Sequence, residues 1–324
     1  MANPVGTFQT YQAIGNREDL EDFIYMISPT ETPFMSMAGR SKASHTKHEW
    51  QTDSLKSAVT SNQAVEGDTP SNTTVTPSSR LFNYTEIATY AFNISGTQQA
   101  MNPAGRSDEL AYQLVKYGKT LKRDMESALT GKNCAAAGTS GTARVGASLE
   151  SWISTNWTTN ASSPASASSP GFSTVGAVSP VDGTAEQTVT AALVQAIIRA
   201  CWTQGGNPDT ILCGPYNKVK ISAFGGILTN SIQQKAGGPA TIIAAADAYQ
   251  SDFGLLKVVP SRFNRDRTVS VLDFEYWSVA YLRPFQQFSL AKVGDSDQRQ
   301  VLAEYVLVAK NQAASGKVAD NAIV

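Results

Sequence analysis

Arg80 to Ser95 reads RLFNYTEIATYAFNIS, and its side chains alternate in kind over the whole length. Phe82, Tyr84, Ala88, Tyr90, Phe92 and Ile94 fall on one face and Asn83, Thr85, Thr89 and Asn93 on the other, the period of a strand with one apolar side. Upstream, His48 to Val59 (HEWQTDSLKSAV) is a second strand candidate, and Thr60 to Ser79 between them is polar and carries Gly67, Pro70 and Pro77, which do not sustain regular pairing. Together they read as a long antiparallel hairpin with a flexible tip. Sixteen residues at about 3.3 Å each span about 50 Å, whereas a compact chain of 324 residues has a radius of gyration of about 20 Å. A straight hairpin of that length projects beyond the body, and because a two-stranded ribbon alone in water is marginal, its apolar stripe implies a partner surface. The alternative is that the strands bend into an ordinary sheet.

Downstream lies the clearest helical pattern. Ser107 is the expected cap, Asp108 and Glu109 suit the positive end of a helix dipole, and Leu110, Leu114, Tyr117, Leu121, Met125 and Ala128 recur at spacings of three and four until Gly131 stops the run. About 24 residues make a rod of about 36 Å. Lys116, Lys119, Lys122 and Arg123 lie along it, but Asp124 and Glu126 interrupt them, so the face reads as solvated rather than as a DNA-binding stripe. Upstream of the hairpin, Ser28-Pro29-Thr30-Glu31-Thr32-Pro33 breaks any helix begun at Arg17 to Met26 and holds the chain extended. Phe23, Ile24, Tyr25, Phe34 and Met35 give this arm apolar anchors that need not be buried by the same chain.

Gly138 to Pro180 is low in complexity and reads as an exposed loop or insertion. A helix from about Ala185 to Gln204, a strand at Thr210 to Cys213 and a helix at Tyr216 to Phe224 follow. Strands are expected at Ala240 to Gln250, Gly254 to Pro260, Val269 to Asp273, Tyr276 to Phe285 and Val301 to Lys310. Helices in the middle and strands toward the end make the class α+β.

Composition excludes more than it identifies. Lys plus Arg is 26 and Asp plus Glu is 27, a net charge of -1 that argues against a uniformly basic nucleic-acid binder. Charged residues are 16% of the chain, below the roughly 25% of an average soluble protein, which leaves the surface poorly protected against self-association. Cys134, Cys201 and Cys213 are odd in number and widely spaced, and read as buried free thiols. Met1 to Gln12 has neither a basic nor an apolar leader region, and no apolar run approaches a membrane span, so the expectation is a cytoplasmic chain. His45-Thr46-Lys47-His48-Glu49 fits no zinc spacing, Gly138-Thr139-Ser140-Gly141 lacks the spacing of a nucleophile elbow, and Gly131-Lys132-Asn133 follows a helix and lacks the residues of a phosphate loop. No catalytic, cofactor or metal residue is nominated. An exported surface-layer protein or adhesin is the alternative structural reading, and a cytoplasmic enzyme the third.

Arm, hairpin, long helix and mixed body in that order resemble a tailed-phage major capsid protein of the HK97 fold. Ser28-Pro29-Thr30-Glu31-Thr32-Pro33-Phe34, His48-Glu49-Trp50-Gln51-Thr52-Asp53, Glu66-Gly67-Asp68, Trp202 with Gly205-Gly206, Ser251-Asp252-Phe253-Gly254, Tyr281-Leu282-Arg283-Pro284-Phe285, Leu290 to Ser296 and Glu304-Tyr305 resemble the SU10-like capsid family. The resemblance implies an N-terminal arm (1–44), an extended loop (45–97) and a peripheral domain (98–185) with a spine helix at 107–131 and a Ser/Pro-rich insertion. An axial domain (186–260) and C-terminal strands returning to the peripheral domain (261–324) would complete the chain. It further implies a non-enzymatic, cofactor-free virion subunit, made in the host cytoplasm, that assembles through hexameric and pentameric capsomers into an icosahedral shell around phage double-stranded DNA. Its partners would be other copies, a portal, separate scaffold or decoration proteins, and DNA contacted without sequence preference, with no membrane. Contacts between subunits would fall on Phe23, Tyr25, Phe34, Trp50, Asp53, Phe82, Tyr84, Tyr90, Phe92 and Arg283. Lys47 and Lys56 in the loop read as solubilising residues rather than as crosslinking lysines.

Overall fold

The computed structural model describes residues 28–69, 72–101, 103, 105–158, 180, 182–183, 186, 188–224 and 247–322. A short helix α1 (Pro33–Met37) starts on a proline, whose missing N–H is not needed at that position. It is followed by strands β1 (Gly39–Lys42), β2 (Lys47–Thr52), β3 (Ser79–Tyr84) and β4 (Glu86–Ser95) and a helix α2 (Gly96–Ala100). The long helix α3 (Glu109–Thr130) and a single turn α4 (Leu149–Trp152) lead to β5 (Trp157–Thr158). After these come α5 (Ala191–Thr203), β6 (Thr210–Cys213), α6 (Pro215–Ser222), β7 (Ala248–Ser251), β8 (Gly254–Pro260) and β9 (Val269–Leu272). The long pair β10 (Trp277–Ser289) and β11 (Ser296–Ala309) and the short β12 (Gly316–Val318) end the order.

The strands form three sheets: four strands in the order β1-β10-β11-β4, six in the order β5-β12-β9-β6-β8-β7, and the pair β2-β3. Among the described residues, two large apolar cores sit beneath the larger two sheets. One packs Leu121, Met125 and Leu129 of α3 with Phe34, Trp152 and Trp277 against the four-stranded sheet. The other packs Val194, Ile197 and Ile198 of α5 on Ile211, Val258 and Val271 of the six-stranded sheet. The cap of α3 is Asp108, whose carboxylate accepts the Leu110 N–H at 2.8 Å, one residue beyond the expected Ser107.

Three expectations are corrected. The run from Arg80 to Ser95 is not one strand of one hairpin. Tyr84 pairs with Lys47, the Thr85 N–H closes the ladder on the Thr46 carbonyl at 2.8 Å, and Glu86 to Ser95 then turn away to pair with Tyr305 to Ser296. Bending into an ordinary sheet is therefore what β4 does, and the stripe from Ala88 to Ile94 is covered by the chain's own α3: Phe92 stacks on Tyr117 at 4.9 Å, and the Tyr90 hydroxyl donates to Asp124. Second, Gly138 to Pro180 is not exposed throughout. Leu149, Trp152 and Ile153 lie fully inside the first core, because three apolar residues within five positions suffice to anchor one helical turn. Residues 159–179 of that stretch are outside the described residues. Third, β10 and β11 lie beside α3, but β9 and β12 from the same C-terminal segment complete the six-stranded sheet, where β9 pairs with β6 and β12.

Candidate assembly interface

Where the β2-β3 ribbon leaves the body, side chains from four distant segments meet. One oxygen of the Glu304 carboxylate on β11 accepts from the Arg144 guanidinium at 2.7 Å and from the Thr85 hydroxyl at 2.8 Å, and the other accepts from Arg283 Nε at 2.7 Å. Arg144 Nε also donates to the Thr85 carbonyl at 3.2 Å, so the residue at the bend is held by both its backbone and its side chain. Beside it the fully buried Asn83 donates to the carbonyls of Leu307 at 2.8 Å and Ala147 at 3.2 Å, and accepts from the Ala147 N–H at 2.9 Å. Asn83 and Thr85 are thus inward-facing pins rather than the solvated face that alternation alone predicts. Burial also raises the pKa of the neighbouring Glu86 carboxyl.

The ribbon itself has two unlike sides. Trp50 faces inward: its indole N–H donates to the Ala309 carbonyl at 2.9 Å and its ring lies 5.3 Å from that of Trp152. Toward solvent, Glu49 pairs with Lys47 at 2.6 Å and Arg80 at 3.5 Å, and the Lys47 ammonium lies 4.2 Å from the centre of the Phe82 ring. Past the last pair, Thr52 with Ser79, every described residue from 53 to 78 is exposed. Their hydrogen bonds stay within the loop and the end of the ribbon, such as Ser54 N–H to Asp53 at 2.8 Å and the Ser78 hydroxyl to Gln51 at 3.5 Å. Leu55, Val59, Val65 and Val75 are 98%, 67%, 77% and 88% exposed, beyond the reach of either core. The β10-β11 hairpin ends in a second exposed apolar group, Phe285, Phe288, Leu290 and Val293.

The residues expected at contacts between subunits divide accordingly. Asp53 stands in the exposed loop, and Phe82 and Tyr84 lie half-buried on the ribbon, with their rings edge-on at 5.6 Å. Arg283 is half-buried in the clamp on Glu304, and Trp50 anchors the ribbon to its own body. Phe34 is corrected: it is fully buried in its own chain against Phe274 and Trp277, because the N–H groups of Phe34 and Met35 are drawn onto the buried Glu126 carboxylate at 2.7 and 2.9 Å. Tyr90 and Phe92 stand half-buried against α3 of their own chain. Phe23 and Tyr25 lie outside the described residues. The four loop aliphatics were missed. Their signal in the sequence is single apolar residues scattered through a Gly- and Pro-containing stretch that has no core of its own.

Cys201 and Cys213 are buried, which pushes both thiols up to about 12, whereas Cys134 is only half-buried. Among the described residues no group of three or more His, Cys, Asp or Glu side chains could hold a metal ion, and no helix is long and apolar enough to cross a membrane.

The family model for the SU10 major capsid protein matches residues 4–322. The chain belongs to the SU10 major capsid protein family. The major capsid protein of Escherichia phage Phieco32 is 37% identical over 129 residues, which are 40% of this chain and 36% of that protein, so the alignment spans little more than a third of the relative. The fold is similar to that of the cyanophage A-1(L) capsid asymmetric unit, at a TM-score of 0.64 and 13% identity over 97% of this chain and 98% of that one. It is also similar to the capsid of a native GTA particle, at 0.61 and 11% over 97% and 98%. The HK97-like α+β architecture expected for an SU10-family chain is therefore the one present.

Proposed function

We propose that this chain is the subunit of an icosahedral phage shell and that its main contact element is the loop from 53 to 78, laid across a neighbouring subunit. Membership of the SU10 major capsid protein family supports the role. The observation that carries the mechanism is the wet aliphatic set Leu55, Val59, Val65 and Val75 on a ribbon braced at its base. Burying four such side chains is worth on the order of 6 kcal/mol per subunit before ordering costs. Capsomers of five and six copies, a location in the virion, a portal, scaffold or decoration proteins and sequence-independent contact with packaged double-stranded DNA belong to the same proposal. So do the roles of the α3 unit as peripheral domain and the α5 unit as axial domain.

Because Thr52 and Ser79 are paired across the ribbon, the loop can be excised and the strands rejoined by an Asn-Gly turn. The shortened chain is expected to stay folded and soluble but to form no closed shells by electron microscopy of the purified protein, where the parent forms them. Normal shells from the shortened chain would overturn the proposed contact.

A further inference from the structure

An apolar groove of about 530 Å³ runs between α3 and β10, floored by Leu114, Val115, Phe285 and Val301 and rimmed by Lys119 and Lys122. A cavity of about 380 Å³ continues it past Lys122 and Phe285 to Thr32, Met35 and Arg40. Among the described residues neither Lys119 nor Lys122 has a carboxylate partner within 4 Å, and the Lys122 ammonium lies over the Phe285 ring at 5.7 Å. A wet aliphatic and aromatic floor with unpaired cations on its rim calls for an occupant that is apolar and acidic together.

The chain contains such a segment. Glu18-Asp19-Leu20-Glu21-Asp22-Phe23-Ile24-Tyr25 carries four carboxylates among four apolar side chains. We infer that this segment of the same chain seats in the α3-β10 groove before assembly. Connectivity favours the chain's own arm over a neighbour's: the described chain begins at Ser28, and Thr32 already lines the adjoining cavity. The seven residues from Thr32 back to Tyr25 reach about 23 Å when extended, and the α3 side of the groove, from Lys122 to Leu114, rises about 12 Å. Phe23 and Tyr25 then cover Val115 and Phe285 while Glu21 and Asp22 approach Lys119 and Lys122. Seated in this way, the arm withholds one apolar surface from other copies until a neighbour displaces it. The inference does not depend on shell formation and is tested in the unassembled chain.

The test uses the full chain at low micromolar concentration with Cys134→Ser, comparing Tyr25→Cys paired with Gln287→Cys against Tyr25→Cys paired with Leu255→Cys on the exposed side of the other sheet. Oxidised glutathione accepts the electrons of the two thiols. The groove pair is expected to close a disulfide within one chain at least tenfold faster than the control pair. Lys119→Glu with Lys122→Glu is expected to slow it about tenfold, and adding Glu21→Lys with Asp22→Lys to restore it. In the chain without engineered cysteines, the two lysine reversals should raise chymotryptic cleavage at Phe23 and Tyr25 about tenfold. Equal rates for the two cysteine pairs, concentration-dependent disulfides between chains, or indifference of closure and cleavage to charge reversal would each overturn the inference.

Discussion

β3 and β4 are consecutive in the chain, separated by Thr85 alone, and share the same alternation of aromatic and polar residues, yet they have opposite fates. β4 has a ten-residue ladder on β11 and α3 packed over its aromatic side. β3 has only the six residues of β2 as a strand partner and follows a loop whose described residues are all exposed. The difference lies in what remote sequence supplies. From Glu86 onward, β11 offers a backbone edge and α3 an apolar face, whereas beyond Ser79 neither is within reach. The same pattern therefore makes internal core on one side of Thr85 and surface available to other copies on the other. The clamp of Arg144 and Arg283 on Glu304 stands at that boundary and fixes the angle at which one becomes the other.

If this division is right, substitutions in the body should damage the monomer. Trp152→Ala removes a fully buried ring that touches Trp50 and the α3 core, and should cost about 4 kcal/mol in denaturant unfolding of the unassembled chain. A cost below about 1 kcal/mol would mean that α4 is peripheral to the core. Glu304→Ala leaves Arg144, Arg283 and the Thr85 hydroxyl without their shared acceptor and should cost about 3 kcal/mol, since breaking a buried ion pair strands its partners and both arginines keep some access to water. Glu49→Ala on the ribbon, where the ion pairs are exposed and screened by solvent, should leave the unfolding midpoint close to that of the parent. Equal losses at Glu304 and Glu49 would erase the distinction between brace and surface.

Much of this was legible in the residues, for identifiable reasons. The long helix α3 shows itself in Leu114, Leu121 and Met125, since its burial follows a local period, and the strands Thr210–Cys213 and Gly254–Pro260 fall where expected because glycine, proline or a helix bounds them. The bend at Thr85 is invisible locally: alternation continues through it, and only Glu304, 219 residues away, turns the threonine inward. Leu149 to Ile153 were lost in a polar neighbourhood, where a short anchoring turn leaves no periodic trace. Phe34 is buried by its own chain, which the sequence does not reveal, because it marks the residue as needing burial without saying by which chain.

The arm root supplies a test by pH. Glu126 is buried under α1, and burial raises its carboxyl to about 7 despite the two N–H groups of Phe34 and Met35 that favour the ionised form. The native state thus holds this proton more tightly than the unfolded chain, whose carboxyl sits near 4.5. Stability from this group is fully present below pH 4.5 and is lost as pH rises through 7, by on the order of 3 kcal/mol. Denaturation midpoints measured from pH 4.5 to 8 should show this decline, and Glu126→Gln should flatten it relative to the parent. An unchanged slope would remove Glu126 as its source.

The smallest expected effect on the monomer is the most informative about the loop. Leu55→Asp with Val75→Asp places two charges where the side chains are already almost fully wet, so the unfolding free energy of the isolated chain should shift by less than about 0.5 kcal/mol. If a neighbour dries those positions, the same charges must be desolvated at every contact, and the yield of closed shells by electron microscopy or sedimentation should collapse. Trp152→Ala should show the reverse pairing, a weakened chain whose surviving folded fraction still assembles. A Leu55→Asp, Val75→Asp chain that is stable and assembles at the parental yield would leave the loop as mere surface, and the asymmetry across Thr85 would then reflect folding alone.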